Sequence, residues 1–306
     1  MLNPSHLRTL AEVIETGSFA EAARRLGYTS SAVSQQMAAL ERTVKAQLFE
    51  REAHGIRPSA TAEFIAARGA DLLVAIDELQ EEIASVVAGR VGALRVGSFP
   101  TANARVVPPV IASLVRAHPG IEVQLDEGEP ERILELLSAG SADVGVVYAY
   151  DLVPMTWPAE LTPVELLVED LVLLLPGGYR IPGPIEDVGV LRSEKWISSQ
   201  TDTAGSTCLT RLCAARGFEP RIAFRSNDYD VVRGLVAAGV GVAVVPALAH
   251  MPDPAIRAQR LPSSPRTRRH VLALHRTANS NPLLGEALRA LRQACATIQE
   301  QIRTEI

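Results

Sequence analysis

Residues 17–51 read GSFAEAARRLGYTSSAVSQQMAALERTVKAQLFER, and this stretch decides the architecture of the N-terminal region. Gly17 follows an amphipathic helical pattern and is expected to end that helix, while Ser18 is placed to cap the next one. The second helix is short and ends at Gly27, after which small hydroxyl residues offer N-caps for a third helix running to about Thr43. Two short helices joined by a tight, glycine-containing turn predict a helix-turn-helix.

The third helix carries residue types that suit base recognition. Its first two turns place short, uncharged donors and acceptors opposite the apolar residues Val33, Met37 and Leu40. Side chains of this kind hydrogen-bond to base edges in a major groove, and the alternative is an ordinary exposed polar face. The predicted DNA-contacting residues on this helix are Ser30, Ser31, Ser34, Gln35 and Gln36.

Two short strands around a turn are predicted after this helix, over residues 48–51 and 54–57. They place Arg51, His54 and Arg57 on a wing beside the helix, as candidate contacts to phosphates and the minor groove. Acidic and basic residues nearly balance in this region. Affinity for DNA must therefore come from the placement of these groups and from dimerisation.

The ordered pattern across this region resembles the N-terminal signature of LysR-type transcriptional regulators. The residues that carry the resemblance are Gly17-Ser18-Phe19-Ala20-Glu21-Ala22-Ala23, Leu26, Ala32-Val33-Ser34-Gln35-Gln36, Leu40-Glu41 and Leu48-Phe49-Glu50-Arg51. The resemblance implies that the residues matching Ser30, Ser31, Ser34 and Gln35 face bases and that the wing reaches the minor groove. This sequence departs from the family pattern at Ser30, Gln35, Lys45 and His54, where Gln, Arg, Gly and Arg are common. These departures leave the operator preference open.

A long helix without proline is predicted over residues 61–89. After Ile65 its apolar residues follow at steps of seven, four, three, four and three, namely Leu72, Ile76, Leu79, Ile83 and Val86. This heptad seam favours a two-helix dimer interface, and the alternative is a surface helix packed on its own domain. The resemblance implies the same dimerising helix, which pairs two readers on a twofold-symmetric operator, and a homodimer or homotetramer is expected.

Short β-branched runs alternate with helical segments from Val91 onward. The predicted strands cover residues 93–97, 121–126, 144–147, 171–175, 196–199, 221–224, 240–245 and 270–274. Near-continuous apolar strands separated by helices predict a parallel-rich α/β sheet buried on both faces. The stretch splits near Pro163 and returns near residues 268–270, which predicts two lobes joined by two crossing strands, as in periplasmic-binding-protein-like sensors.

The predicted fold class is therefore α/β, with an N-terminal winged helix-turn-helix, a long linker helix and a two-lobed periplasmic-binding-protein-like effector domain. The expected domains are the DNA-binding domain at 1–60, the dimerising linker at 61–89 and the effector-binding domain at 91–306. Lobe I takes about residues 91–163 and 269–306, and lobe II about residues 164–268. The layout of the last domain also resembles that of the LysR-type family.

Ligands of open α/β sheets bind beyond the carboxyl ends of the strands, near helix N-termini. Polar residues follow three predicted strands, at 97–101, 198–203 and 226–228. Capping of the next helix is the alternative for any single Ser or Thr, but two lobes are expected to bring all three loops to one cleft. The predicted effector-contacting residues are Ser98, Thr101, Ser199, Thr201 and Asn227, with Pro246 as a wall. Hydroxyls and helix N-termini suit a carboxylate or another small anion, although these loops contain no Arg or Lys.

Composition and motifs argue against several other classes. A net charge of −5 disfavours a protein that coats nucleic acid through bulk electrostatics. Three cysteines without framework spacing suit a reducing compartment, and no signal peptide or membrane-spanning run is expected, so a cytoplasmic protein without a membrane partner is predicted. Metal-ligand spacing and phosphate-binding fingerprints are lacking, so we expect no metal, cofactor, catalytic residues or enzymatic activity.

Two charged clusters and a cysteine pair are not expected to form functional sites. The cluster Asp126, Glu127 and Glu129 is expected to be a solvated loop rather than an acid–base pair. The basic patch Arg266, Arg268, Arg269 and His270 is expected to be a solvated surface rather than a DNA contact. Cys208 and Cys213 do not share a helix face and are expected to be buried filler.

The sequence thus predicts a regulator that binds DNA (a promoter operator) as an oligomer and changes its subunit arrangement when a small effector enters the cleft. Two rivals stay open. One is a small-molecule binder or enzyme built on the α/β region, and the other is a DNA-binding protein without a sensor. The effector, the operator and the direction of regulation are not fixed by the sequence.

Overall fold

The computed structural model describes residues 2–52, 55–87, 92–180, 183–261 and 267–306. The chain divides into two compact units, Met1–Gly89 and Arg90–Ile306. The first unit contains α1 (Pro4–Thr16), α2 (Phe19–Leu26), α3 (Ser30–Val44), β1 (Phe49–Glu52), β2 (Gly55–Pro58) and α4 (Ala60–Val87). The predicted helices and the two wing strands are confirmed.

Local capping fixes the first three helices where the sequence predicts them. Side-chain oxygens of Asn3, Ser18 and Thr29 accept first-turn backbone N–H groups of α1, α2 and α3. Gly17 and Gly27 end α1 and α2 with φ angles of 64° and 69°, a left-handed conformation that costs glycine little. The beginnings of these three helices and the ends of α1 and α2 are therefore specified by residues adjacent to them in sequence.

The end of α3 is an exception to this pattern. Lys45 follows the helix with φ 56°. Among the described residues it is the one non-glycine residue with a positive φ. Its backbone N–H donates to the Glu41 carbonyl oxygen and so closes the helix. A side chain at this position carries a steric cost that glycine would avoid.

Helix α4 presents two apolar faces rather than the single seam expected from sequence. Ala62 is buried and Ile65 and Leu73 are partly buried against the core of the first unit, which explains why the beginning of α4 packs on α1. Leu72, Leu79 and Ile83 instead lie 54%, 55% and 54% exposed. One face of this helix therefore packs on its own unit, and the dimer interface stays a prediction for the exposed residues.

The second unit consists of strands and helices in alternation. Its strands are β3 (Ala93–Ser98), β4 (Glu122–Glu127), β5 (Val144–Tyr150), β6 (Leu161–Pro176), β7 (Lys195–Ser198), β8 (Arg221–Arg225), β9 (Val242–Pro246), β10 (Ile256–Arg260) and β11 (Arg268–Arg276). Its helices are α5 (Pro100–Arg105), α6 (Val107–Ala117), α7 (Pro130–Ser138), α8 (Ala204–Ala214), α9 (Tyr229–Ala237) and α10 (Leu284–Glu305).

The strands join in the order β4-β3-β5-β11-β6-β9-β7-β8, with β10 paired to β6. Parallel pairing links β3 to β4 and β5 at one end, and β7 to β8 and β9 at the other. We call the β3–β5 end lobe I and the β7–β9 end lobe II. Strands β6 and β11 pair antiparallel and run between them, from Arg268 opposite Asp170 to Arg276 opposite Leu161.

The sequence patterns missed part of this crossing region. Only the last, apolar residues of β6 were predicted, because its first half alternates buried and exposed positions and carries charged residues. β10 was missed altogether, since four of its five residues are only partly buried and two of them are arginines. Both omissions fall where polar residues belong to a strand.

Candidate functional site

The first candidate site is the exposed face of α3. Ser30, Ser31, Ser34 and Gln35 are exposed. On the opposite face Val33, Met37 and Leu40 are buried in the core of the first unit. The hydrophobic core thus holds the polar face outward, with its hydroxyl and amide groups free to meet a groove.

Gln36 differs from its neighbours on this helix. It is partly buried, and its Oε1 accepts from the Thr9 hydroxyl of α1 at 2.5 Å. The side-chain oxygen is therefore occupied inside the unit, which leaves the NH₂ group as the part of this residue available to DNA. Gln36 ties α3 to α1 as well as lining the face.

The wing is an antiparallel hairpin in which Glu50 pairs with Arg57 and Arg51 with Ile56. The Arg57 side chain is exposed. The backbone of Arg51 belongs to β1, while its side chain and the whole of His54 lie outside the described residues. Their predicted contacts to DNA remain predictions.

Two arginines of the first unit are compensated by carboxylates. Arg24 makes a bidentate pair with Glu21, and Arg25 bonds Glu12 at 3.1 Å and Glu15 at 2.9 Å. Because these cations are already paired, they offer phosphates less than a free arginine would. This supports the view that placement rather than bulk charge carries DNA affinity.

The second candidate site is a cleft in the second unit. It has an empty volume of ≈ 360 Å³, which includes space open to solvent. Its lining residues are Phe99, Pro100, Thr101, Glu129, Tyr148, Ser199, Thr203, Gly205, Asn227, Tyr229 and Arg269. They come from the C-terminal ends of strands and the beginnings of helices in both lobes, together with the crossing strand β11, which is where an open α/β sheet binds ligands.

The structure brings some of the sequence-predicted effector residues together here and leaves others out. Thr101, Ser199 and Asn227 line the cleft. Ser98 is fully buried, and its Oγ has no hydrogen-bond partner among the described residues. Thr201 is exposed and is not part of the lining, while Pro246 lines a neighbouring cavity that also contains Ser199.

Arg269 is the residue that sequence reasoning placed wrongly. Expected on a solvated basic patch, its side chain is 1% exposed, because alternation along β11 turns it into the cleft floor while Arg268 points out. Its Nε donates to Glu169 Oε1 at 2.6 Å and its Nη2 to Thr101 Oγ1 at 3.0 Å. Of the other two patch members, His270 has its Nε2 2.9 Å from Asp151 Oδ1, and Arg266 lies outside the described residues.

Aromatic rings and a carboxylate stabilise this buried cation. The Arg269 guanidinium carbon lies 5.1 Å from the ring centroid of Phe99 and 5.0 Å from that of Tyr148. Burial lowers the pKa of Arg269, but the neighbouring Glu169 charge and the tyrosines more than offset it, so the pKa is raised overall. Glu169 also accepts from the Leu248 backbone N–H at 2.5 Å, which satisfies its second oxygen.

Glu129 is likewise not the solvated loop residue that was expected. It lines the cleft at the N-cap of α7, and its Oε2 accepts a short hydrogen bond from the Tyr148 hydroxyl. Burial and the Glu129 carboxylate raise the pKa of Tyr148 well above its usual value, so the phenol stays protonated and donates. Its cluster neighbour Glu127 instead accepts from Asn103 at 2.9 Å outside the cleft lining.

The lobe II loops are held in place by their own hydrogen bonds. Ser199 Oγ and Thr203 Oγ1 lie 2.7 Å apart, and Thr203 caps α8 through the Ser206 N–H. Asn227 Oδ1 accepts from the Gln200 N–H at 2.9 Å. The side-chain NH₂ of Asn227 donates to none of the described residues, so it is available to a ligand.

The neighbouring cavity has aliphatic and hydroxyl-bearing walls and no charged residue in its lining. It shares Ser199, Gly205 and Tyr229 with the cleft, and Leu171, Ile197, Val244, Val245 and Pro246 are among its walls. A Cβ added at Gly205 would lie 3.0 Å from Ser199 Oγ, so a side chain there would crowd the wall that the two cavities share.

Metal ligands, cysteine thiols and membrane-spanning helices were considered next, within the described part of the chain. No group of three or more His, Cys, Asp or Glu side chains there is arranged to hold a metal ion. Cys208, Cys213 and Cys295 are buried, and burial raises the pKa of each thiol to about 12. No helix of the described ranges combines the length and apolar character needed to cross a membrane.

Comparison with protein families matches both units. Residues 4–63 match the bacterial regulatory helix-turn-helix protein, lysR family, and residues 88–296 match the LysR substrate binding domain. The small neutral protease regulatory protein of Streptomyces coelicolor is 30% identical over 304 residues, covering 96% of this chain and 90% of that protein. A probable transcriptional regulator, LrrA of Synechococcus elongatus, is 29% identical over 263 residues, covering 85% of this chain and 87% of that protein.

Solved structures share the fold over nearly the whole chain. A mutant of Corynebacterium glutamicum OxyR superposes with a TM-score of 0.60 at 22% identity, covering 99% of this chain and 94% of that one. Full-length CbnR in complex with its target DNA superposes with a TM-score of 0.53 at 24% identity, covering 96% of this chain and 100% of that one.

Proposed function

The chain belongs to the LysR family of bacterial transcriptional regulators, and from that premise we propose how it reads DNA and senses an effector. The family consists of regulators with a DNA-binding helix-turn-helix and an effector-binding domain, not of enzymes. The proposal concerns the residues that do each job, the oligomer that forms and the chemical character of the effector.

Base recognition is assigned to the exposed face of α3, through Ser30, Ser31, Ser34 and Gln35, with the Gln36 NH₂ at its edge. This assignment is supported by their exposure opposite a buried apolar face. Arg51, His54 and Arg57 on the wing are proposed to contact phosphates and the minor groove. Such a short, uncharged face binds its operator through two copies rather than one.

The second copy is proposed to dock on the exposed apolar residues of α4. Leu72, Leu79 and Ile83 are each more than half exposed and follow one another at heptad-compatible spacing. Burying them against the same residues of another chain removes apolar surface from water and fixes the distance between two readers. A homodimer or homotetramer in the cytoplasm, bound near a promoter, is the proposed working form.

The cleft is proposed to bind a small effector with a carboxylate or similar anionic group, and ligand binding is proposed to shift the relative position of the lobes. The observation that carries this is the convergence of Thr101, Ser199 and Asn227 on one opening that also contains Arg269. Thr101 belongs to lobe I and the other two to lobe II, so a single ligand bridges them. Differential binding to two lobe arrangements is what couples the effector to DNA.

A gel-shift titration tests the DNA-binding part. The full-length protein is titrated against the DNA upstream of its own gene across a salt series, beside a scrambled fragment of equal length. Gln35→Ala is expected to weaken specific binding by about tenfold or more. Gln80→Ala, which truncates an exposed glutamine on α4, serves as the matched control and should bind like the wild type. Absence of any specific shift under all conditions contradicts the proposal.

A further inference from the structure

The charges of the cleft do not suit a simple carboxylate. Arg269 is the cation in its lining, and Glu169 already pairs with it from inside the protein. Glu129 adds a second carboxylate at the cleft, and the Tyr148 hydroxyl is the one hydrogen-bond partner of its side chain among the described residues. Arg269 is thus matched by Glu169, and an anionic group alone would leave the Glu129 carboxylate without a positive partner.

A positively charged group on the ligand resolves this imbalance. Glu129 Oε1 accepts no hydrogen bond from the described residues, while its Oε2 is oriented by Tyr148. A carboxylate held in this way by the Tyr148 hydroxyl, and partly buried, suits an ammonium group, which would both donate to it and neutralise it.

The same cleft also offers unused donors for an anionic group. The Nε and Nη2 atoms of Arg269 are occupied by Glu169 and Thr101, whereas its Nη1 has no partner among the described residues. The Asn227 NH₂ lies in the same lining, whereas the Ser199 hydroxyl donates to Thr203 Oγ1, which itself donates to the Gln200 carbonyl oxygen. Charged and polar donors thus lie in one cleft with an acceptor carboxylate, which is the arrangement that recognises a zwitterion.

The lining of the adjoining cavity indicates which kind of substituent the ligand carries. Seven of its fourteen lining residues are aliphatic, none is charged, and it shares Gly205, which has no side chain, with the cleft. An uncharged aliphatic or aromatic substituent fits these walls, whereas a charged one would lose its hydration without a partner.

We propose that the effector is an α-amino acid with an apolar side chain. Its ammonium group binds Glu129 in lobe I, its carboxylate binds Arg269 Nη1 and the Asn227 NH₂, and its side chain points toward the adjoining cavity. This inference rests on the proposed function of the cleft and names the ligand class within it. The ligand bridges the lobes because its two charged ends bind on opposite sides.

Matched compounds test the ligand class on the wild-type full-length protein. L-leucine, L-valine and L-phenylalanine are titrated by calorimetry, each beside the same molecule without its amino group and the same molecule without its carboxylate. We expect at least one amino acid to bind and both of its truncated analogues to bind about tenfold to a hundredfold more weakly, the loss of one charged hydrogen bond. Equal binding of an amino acid and its deaminated acid, or no binding of any amino acid, overturns the inference.

Two variants locate the ammonium site. Glu129→Gln keeps the hydrogen bond to Tyr148 and removes the charge, so it should weaken amino-acid binding about tenfold or more while binding of the deaminated acid improves. Glu127→Gln makes the same change outside the cleft lining and should leave both affinities unchanged. Equal amino-acid affinity in Glu129→Gln and the wild type overturns the assignment.

The gel-shift assay separates this inference from the function on which it rests. If a deaminated acid alters the operator complex and amino acids do not, the ligand class is wrong and effector-responsive DNA binding stands. If amino acids bind the cleft but change no operator complex, the ligand class stands and the sensing function fails.

Discussion

Arg269 Nε lies 2.6 Å from Glu169 Oε1, and both side chains are 1% exposed. The two residues belong to the crossing strands β11 and β6, and each bonds onward to a different lobe. Arg269 donates to Thr101 of lobe I, and Glu169 accepts from the Leu248 N–H next to β9 of lobe II. One buried ion pair therefore connects the two lobes beneath the cleft.

Removing one partner of this ion pair should lower the free energy of unfolding. Glu169→Gln leaves the Arg269 charge buried without a counter-charge, and we expect a loss of about 3 kcal/mol or more in the free energy of unfolding. Thermal melting of the full-length protein measures it. Glu165→Gln on the same strand is the control, because the Glu165 side chain is 62% exposed and its contact to His270 is 3.4 Å. Equal melting temperatures for the two variants contradict the prediction.

Replacing Lys45, whose backbone is in the left-handed region, with glycine should raise the free energy of unfolding. Lys45→Gly removes the steric cost of φ 56°, and a gain of about 1 kcal/mol is expected from the end of α3. Lys45→Ala removes the same charge but keeps a Cβ, so it should not be stabilised. Melting curves of both variants decide the matter, and a stabilised alanine variant would show that charge rather than backbone strain is responsible.

The exposed face of α4 should control assembly. Leu79→Asp places a charge in the proposed helix–helix seam, and we expect the dimer to dissociate by at least about tenfold more readily. Sedimentation across a concentration series measures the change, with Gln80→Asp as the neighbouring control. If the wild type is a monomer throughout, or if both variants associate equally well, the seam is not the interface.

The three thiols should be slow to react in the folded protein. Burial raises the pKa of Cys208, Cys213 and Cys295 to about 12, so only a very small fraction is thiolate at neutral pH. Alkylation by iodoacetamide, followed by mass spectrometry, should be much slower in native than in denatured protein. Reactivity should increase as the pH rises toward 12. Rapid native labelling at neutral pH contradicts this prediction.

Two helical glycines offer a matched pair of alanine variants. Gly234→Ala on α9 meets no atom within 4 Å and should stabilise the protein by about 1 kcal/mol through helix propensity. Gly205→Ala brings its Cβ to 3.0 Å from Ser199 Oγ, so the same gain should be reduced and effector binding weakened. Melting and ligand titration together check both effects. Unchanged ligand affinity in Gly205→Ala would show that the ligand does not reach the wall that the two cavities share.

The helix-turn-helix was predictable from sequence because its determinants are local. Ser18 and Thr29 cap helices within three residues of themselves, and Gly17 and Gly27 end helices by their own backbone preference. The strands of the α/β unit were predictable wherever buried residues ran together, as at the end of β6. The α4 seam was predictable in spacing, but which of its residues are buried within the unit depends on α1.

The cleft was predictable only in outline. Polar loops after strands identified Thr101, Ser199 and Asn227, since the carboxyl ends of parallel strands collect at one edge. Thr201 satisfied the same pattern two residues from Ser199 and yet points elsewhere, because a loop imposes no repeat on side-chain direction.

Sequence by itself determined the class of reader, the alternation of strands and helices, and the loops from which a ligand site is built. Tertiary structure alone decided that Arg269 and Glu129 belong to that site. In a strand, a shift of one residue reverses which side chain faces inward, so Arg268 and Arg269 are equivalent until pairing with β5 and β6 fixes the register. The cation of the cleft, and the carboxylates that limit what it can bind, therefore follow from strand register and from contacts between distant segments.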